Sequence, residues 1–112
     1  MKVDIETHGS VVVIVPRDAI TEATLADVTT ATEAARAQSG GGRMVLDMGN
    51  VAFLDSAAIE HLLSFAGTAS RGPLVPRLAA LNETVRETLS LTETLPRFSI
   101  YDSVESAVRS YL

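Results

Sequence analysis

Three observations predict an α/β domain with one mixed sheet of about five strands and about four helices, in the order β-β-α-β-α-β-α-β-α. Val11 to Val15 is an unbroken β-branched run, the mark of a strand buried on both faces. Further apolar runs, at Met44–Leu46, Leu78–Leu81 and Phe98–Tyr101, are too short for helices. Between them lie longer segments whose apolar residues recur at helical spacing, so strands and helices alternate. No internal repeat and no long linker divides the chain, and residues 1–112 read as one domain.

Val3 to Thr7 alternates apolar and polar residues, as a half-buried edge strand does. His8-Gly9-Ser10 is a tight turn into the Val11 strand, which Pro16 ends. Thr21 is a suitable cap for a helix reaching about Gln38, with Leu25, Val28, Ala31 and Ala35 on its inner face. Ser39 to Gly42 closes that helix. Gly49-Asn50 breaks the strand that begins at Met44. After Asp55-Ser56 the residues Ile59, Leu62, Leu63 and Ala66 fall at helical spacing. Asp55 and Ser56 both make good N-caps, and a carboxylate suits the positive end of a helix. Ser70 to Pro76 is a loop. Asn82-Glu83 opens a helix with Val85 and Leu89 inward, and Thr94-Leu95-Pro96 ends that segment. Asp102 to Glu105 has the form of a capping box before a last helix carrying Val104, Ala107, Val108, Tyr111 and Leu112.

Composition removes several kinds of function. There are no cysteines, hence no disulfides, thiolate metal sites or cysteine nucleophiles. The net charge is −5, and the nine basic residues, eight of them arginine, are scattered along the chain. A nucleic-acid binder concentrates its cations to neutralise phosphates, so no nucleic-acid partner is expected. The acidic balance suits a protein partner with a basic face. No apolar run approaches the roughly 20 residues that cross a bilayer, and the N-terminus lacks the apolar core of a signal peptide. A cytoplasmic protein without direct membrane insertion is the expectation.

Catalysis and cofactor binding find little support. The glycine run 40–42 leads through Arg43 into a strand, whereas a phosphate loop ends in Gly-Lys-Ser/Thr and opens a helix. Leu54-Asp55-Ser56-Ala57-Ala58 lacks both glycines of a nucleophile elbow. His61, next to Glu60 and five residues beyond Ser56, is poorly aligned to activate it, and adjacent helical residues do not face each other. Surface solvation accounts for His8 and His61. No clustered metal ligands occur, so the expectation is no enzyme, no metal and no cofactor.

The strand ending in Leu46-Asp47, the segment Asn50-Val51-Ala52-Phe53-Leu54 and the Asp55-Ser56 helix start resemble the STAS domain, the family of bacterial anti-sigma factor antagonists. Leu81 to Leu89 followed by Phe98 to Tyr101 is similar to the antagonist members, and the likeness spans nearly the whole chain. In that family the motif is usually Asp-Ser-Ser/Thr-Gly, and a partner kinase phosphorylates the second hydroxyl residue. Here Ala57 stands at that position and Ala58 at the glycine. Stressosome-type relatives resemble Asp-Ser-apolar-apolar and carry the phosphate directly after the aspartate, which makes Ser56 the candidate.

The resemblance implies a binding module for an anti-sigma factor and serine kinase with a histidine-kinase-like ATP-binding fold. It is either switched at Ser56 or constitutive because Ala57 has no hydroxyl. Asp18, Asp55, Ser56, Ala57 and Ala58 are the implied contact residues, and STAS paralogues are further candidate partners. A subunit of a lipid- or anion-transport complex, a stressosome-type scaffold and a degenerate nucleotide-binding domain are the competing readings.

Overall fold

A computed structural model describes residues 1–39, 42–68 and 77–112 of the chain, with the backbone alone at 39 and 65–68. The glycines at 40 and 41, the side chain of Ala66 and the expected loop from Ser70 to Pro76 lie outside what is described. Five strands form a sheet in the order β1-β2-β3-β4-β5. They are β1 (Val3–His8), β2 (Val11–Pro16), β3 (Met44–Asp47), β4 (Arg77–Ala79) and β5 (Ser99–Tyr101). β1 and β2 are antiparallel, and every later pair is parallel. Four α-helices connect or follow them: α1 (Leu25–Ser39), α2 (Ser56–Thr68), α3 (Glu83–Leu91) and α4 (Val104–Arg109).

The hairpin turns at Gly9-Ser10, with Gly9 at a φ of +65°. Two-residue hairpin loops need positive φ in a central position, which glycine adopts without penalty. β2 is the centre of the molecule. Val12 and Ile14 point into one apolar layer, shared with Val28 of α1, Leu62 of α2, and Val85 and Leu89 of α3. Val11, Val13 and Val15 point into a second layer beneath α4, with Val45, Ala79 and Ala107. Strand side chains alternate between faces, so a strand covered on both sides must be apolar at every position. All six residues of β2 are buried; for Val11 to Val15 this is as the sequence predicts, while Pro16, expected to end the strand, is its last residue.

Several boundaries differ from expectation. α1 begins at Leu25, because the Thr24 hydroxyl accepts from Thr21 N–H (2.9 Å) and donates to the Ala19 carbonyl (2.9 Å), holding residues 21–24 as a turn. Thr21 therefore does not cap the helix. β4 stops at Ala79 because Ala80 takes a φ of +60°. A 3-10 turn, Leu95–Arg97, precedes β5. α4 is capped by Ser103, whose Oγ accepts from Ser106 N–H (3.1 Å), and the Asp102–Glu105 capping box does not form. Tyr111 and Leu112, expected on this helix, lie beyond it, and Leu112 is 88% exposed.

Arg77, at the start of β4, lies over the Tyr111 ring at 3.7 Å from its centroid. The Tyr111 hydroxyl donates to the Met44 carbonyl (2.9 Å), which ties the chain after α4 to β3.

Candidate functional site

The connections that leave β2, β3 and β4 meet beyond the carboxyl ends of these strands, the position where open parallel sheets gather their loops. Ile20 and Leu54 form a single parallel bridge between the first two connections. In it, Ile20 N–H donates to the Phe53 carbonyl (3.2 Å) and Asp55 N–H to the Ile20 carbonyl (3.3 Å). An extended segment alternates its side chains. Leu54 consequently turns inward and is 6% exposed, while Phe53 turns out and is 49% exposed.

On the other flank Asn82 performs two tasks. Its Oδ1 accepts from Val85 N–H (2.8 Å) and caps α3, while its Nδ2 donates to the Val51 carbonyl (2.9 Å). Met48 N–H also donates to the Ala79 carbonyl (2.8 Å). The loop before α2 is thus held from both sides.

Asp55 is the N-cap of α2 and Ser56 is its first helical residue. One carboxylate oxygen of Asp55 accepts from Ala58 N–H (3.0 Å) and the other from Glu22 N–H (2.8 Å). The N–H of Ala58, then that of Glu22, stabilise the carboxylate and hold the Asp55 pKa below its ordinary value, against a smaller opposing effect of desolvation. Ser56 is exposed, and its hydroxyl has no hydrogen-bond partner among the described residues. Ala57 is half-buried and Ala58 fully buried in the layer beneath α2. Asp18, exposed, accepts from its neighbour's Ala19 N–H (2.8 Å), two residues before the Ile20–Leu54 bridge.

The five residues singled out from the sequence therefore fall into two strapped segments at one end of the sheet, though Ala58 offers no surface. Sequence reasoning missed Glu22, whose backbone holds Asp55, and Asn82 as a strap. It also missed Phe53 as an outward side chain. For Phe53 no local signal existed, since its direction depends on a bridge to residue 20. His61 also differs from expectation: it is half-buried on α2, and burial pushes its imidazole pKa down while Glu33 opposes the shift. Among the described residues no group of three His, Cys, Asp or Glu side chains is placed to hold a metal ion. No helix of the described residues is long and apolar enough to cross a membrane.

Fold and site together define a small α/β module that presents a capped helix mouth at the carboxyl end of its sheet. The chain belongs to the STAS domain family, which it matches over residues 2–107. No curated protein matches it. Among solved structures, a Thermotoga maritima protein superposes with a TM-score of 0.85 at 19% identity, covering 97% of this chain and 93% of that one. An anti-sigma factor antagonist from Mycobacterium paratuberculosis gives 0.79 at 23% identity, covering 98% and 92%. The murine anion transporter Solute Carrier 26 family member A9 gives 0.73 at 19% identity, covering 95% of this chain and 18% of the transporter. At these identities the likeness is one of fold.

Proposed function

We propose that this STAS domain is an anti-sigma factor antagonist, a cytoplasmic binding module rather than a catalyst. Its partner is an anti-sigma factor and serine kinase with a histidine-kinase-like ATP-binding fold. The contact is the α2 mouth, with Asp18, Asp55, Ser56 and Ala57 at the surface and Ala58 setting the helix beneath them. The observation that carries this reading is the Ser56 hydroxyl, exposed on a rigidly held helix start. With alanine at 57, it is the hydroxyl that this motif offers to a kinase. The chain also matches nearly the whole length of the mycobacterial antagonist but less than a fifth of the transporter.

A phosphate on Ser56 would add about −1.5 to −2 charge. Helix N-terminal N–H groups ordinarily welcome an anion. Here Asp55 already occupies the Ala58 donor and repels a second anion. The phosphate would then project outward, where a partner surface fitted to a neutral hydroxyl loses affinity.

The test uses purified kinase-fold anti-sigma factors from the same cells, each assayed for binding by interferometry and for phosphate transfer from ATP. The expected outcome is binding by the parent, phosphate incorporation that Ser56→Ala abolishes, and weakening of about tenfold or more for Ser56→Asp, as when a charge is buried unpaired at an interface. Equal binding by Ser56→Asp, with no phosphate incorporated, would show a constitutive antagonist. If no such factor binds and transporter subunits co-purify instead, the antagonist reading fails.

A further inference from the structure

Charge is sorted along the sheet. The chain has no lysine or arginine from Asp18 to Ala35, from Met44 to Thr68 or from Leu78 to Val85, the stretches that supply, Arg17 aside, the three connections at the α2 mouth. Asp18, Glu22, Glu60 and Glu83 are exposed there, with Asp55 half-buried among them. Glu60 lies one helical turn beyond Ser56 on the same face of α2. Of the cations near this end, Arg17 is held by Asp4 at 2.8 Å and Lys2 lies 4.0 Å from the same carboxylate. Arg86 lines the surface of α3 with Glu87 and Leu91. At the opposite end arginines stand at three strand starts: Arg43 precedes β3, Arg77 opens β4 and Arg97 precedes β5. Phe53 stands within the acidic end, and the bridge to Ile20 fixes it outward.

We propose that the face around Phe53 docks a protein whose own surface is basic, with an apolar recess for the Phe53 ring rimmed by arginine or lysine. Such a partner would meet Asp18, Glu22, Glu60 and Glu83 with opposite charge. An aromatic anchor surrounded by a polar rim is the arrangement in which a single side chain carries much of an interface. The rim charges chiefly set the rate and orientation of encounter. A second copy meeting this face with its own like face would bring carboxylates against carboxylates, a head-to-tail copy would appear as self-association of the unmixed protein, and nucleic acid would be repelled. The inference deepens the antagonist reading and rests on it for the class of partner, although the location of the face does not.

The first experiment needs no natural partner. The 15N-labelled protein is titrated with a peptide of alternating arginine and leucine, and with a peptide in which glutamate replaces arginine. Shifts confined to amides near residues 18–22, 52–56 and 83, weakened severalfold by Phe53→Ala and absent with the glutamate peptide, are expected. No binding, or shifts centred elsewhere, would overturn the inference. So would concentration-dependent dimerisation of the unmixed protein through the same amides.

With a kinase-fold anti-sigma factor that binds, Phe53→Ala should weaken the complex about 30-fold, mostly through faster dissociation. Glu22→Gln with Glu60→Gln should slow association and flatten its salt dependence. Unchanged affinity for Phe53→Ala there would also overturn the inference. Peptide shifts at the face without binding by any such factor would instead leave the face standing and sink the antagonist reading.

Discussion

At Asp55 a side chain with two acceptor oxygens meets backbone donors from two parts of the chain, Ala58 in its own helix and Glu22 thirty-three positions earlier. The interaction depends on charge, since a carboxylate accepts both bonds more strongly than a neutral amide would. Its pKa is lowered in the folded state, from an ordinary value of 3.8. The stability it contributes is therefore present above that value and lost as pH falls through the folded pKa. Asp55→Asn should lower the urea midpoint at neutral pH, and the gap between parent and variant should narrow on acidification below 3.8. A gap that stays constant to the lowest pH at which both fold would contradict this account. Asn82 offers the neutral counterpart. Asn82→Ala removes the cap of α3 and the strap to Val51, and should cost about 1–2 kcal/mol in urea denaturation. Hydrogen exchange at the start of α3 should rise with it.

For the elements, legibility in the sequence followed the range of the interactions that set them. β2 reads directly from Val11 to Val15, because a strand covered on both faces needs apolar side chains throughout. The inward residues of α1 and α3 (Val28, Ala35, Val85, Leu89) read from helical spacing, since burial of one face is what holds such helices. Ends were harder. Asp102 and Ser103 are both capable caps, and the extended backbone of Ser103 (φ −141°, ψ 159°) decides between them. Thr21 and Thr24 pose the same ambiguity, settled when the Thr24 hydroxyl closes a turn of its own. Within the candidate site, the helix start at Asp55 and Ser56 was legible because capping chemistry is written there. Phe53 and Asn82 were not, because their roles require knowing which distant loops meet. Packing gives a test at this scale. Leu62 of α2 is 1% exposed, and Leu62→Ala should destabilise the protein by about 2–5 kcal/mol in the same denaturation assay.

For the whole molecule, the order of strands across the sheet repeats their order along the chain. During synthesis each new strand emerges beside a neighbour that already exists, so no strand waits for a later one to be inserted between two others. One surface is an exception to this steady growth. The second apolar layer, Val11, Val13 and Val15 with Val45 and Ala79, is made early in the chain, yet its cover comes from Val104, Ala107, Val108 and Tyr111. Until the ribosome releases those residues, the face of the nascent sheet stays open to water and to other chains. A chain ending at Asp102 should bind the dye ANS and sediment as aggregates, whereas removal of the exposed Leu112 alone should do neither. Stop codons or protease nicks that remove Val104 to Tyr111 would thus act on solubility before they act on binding.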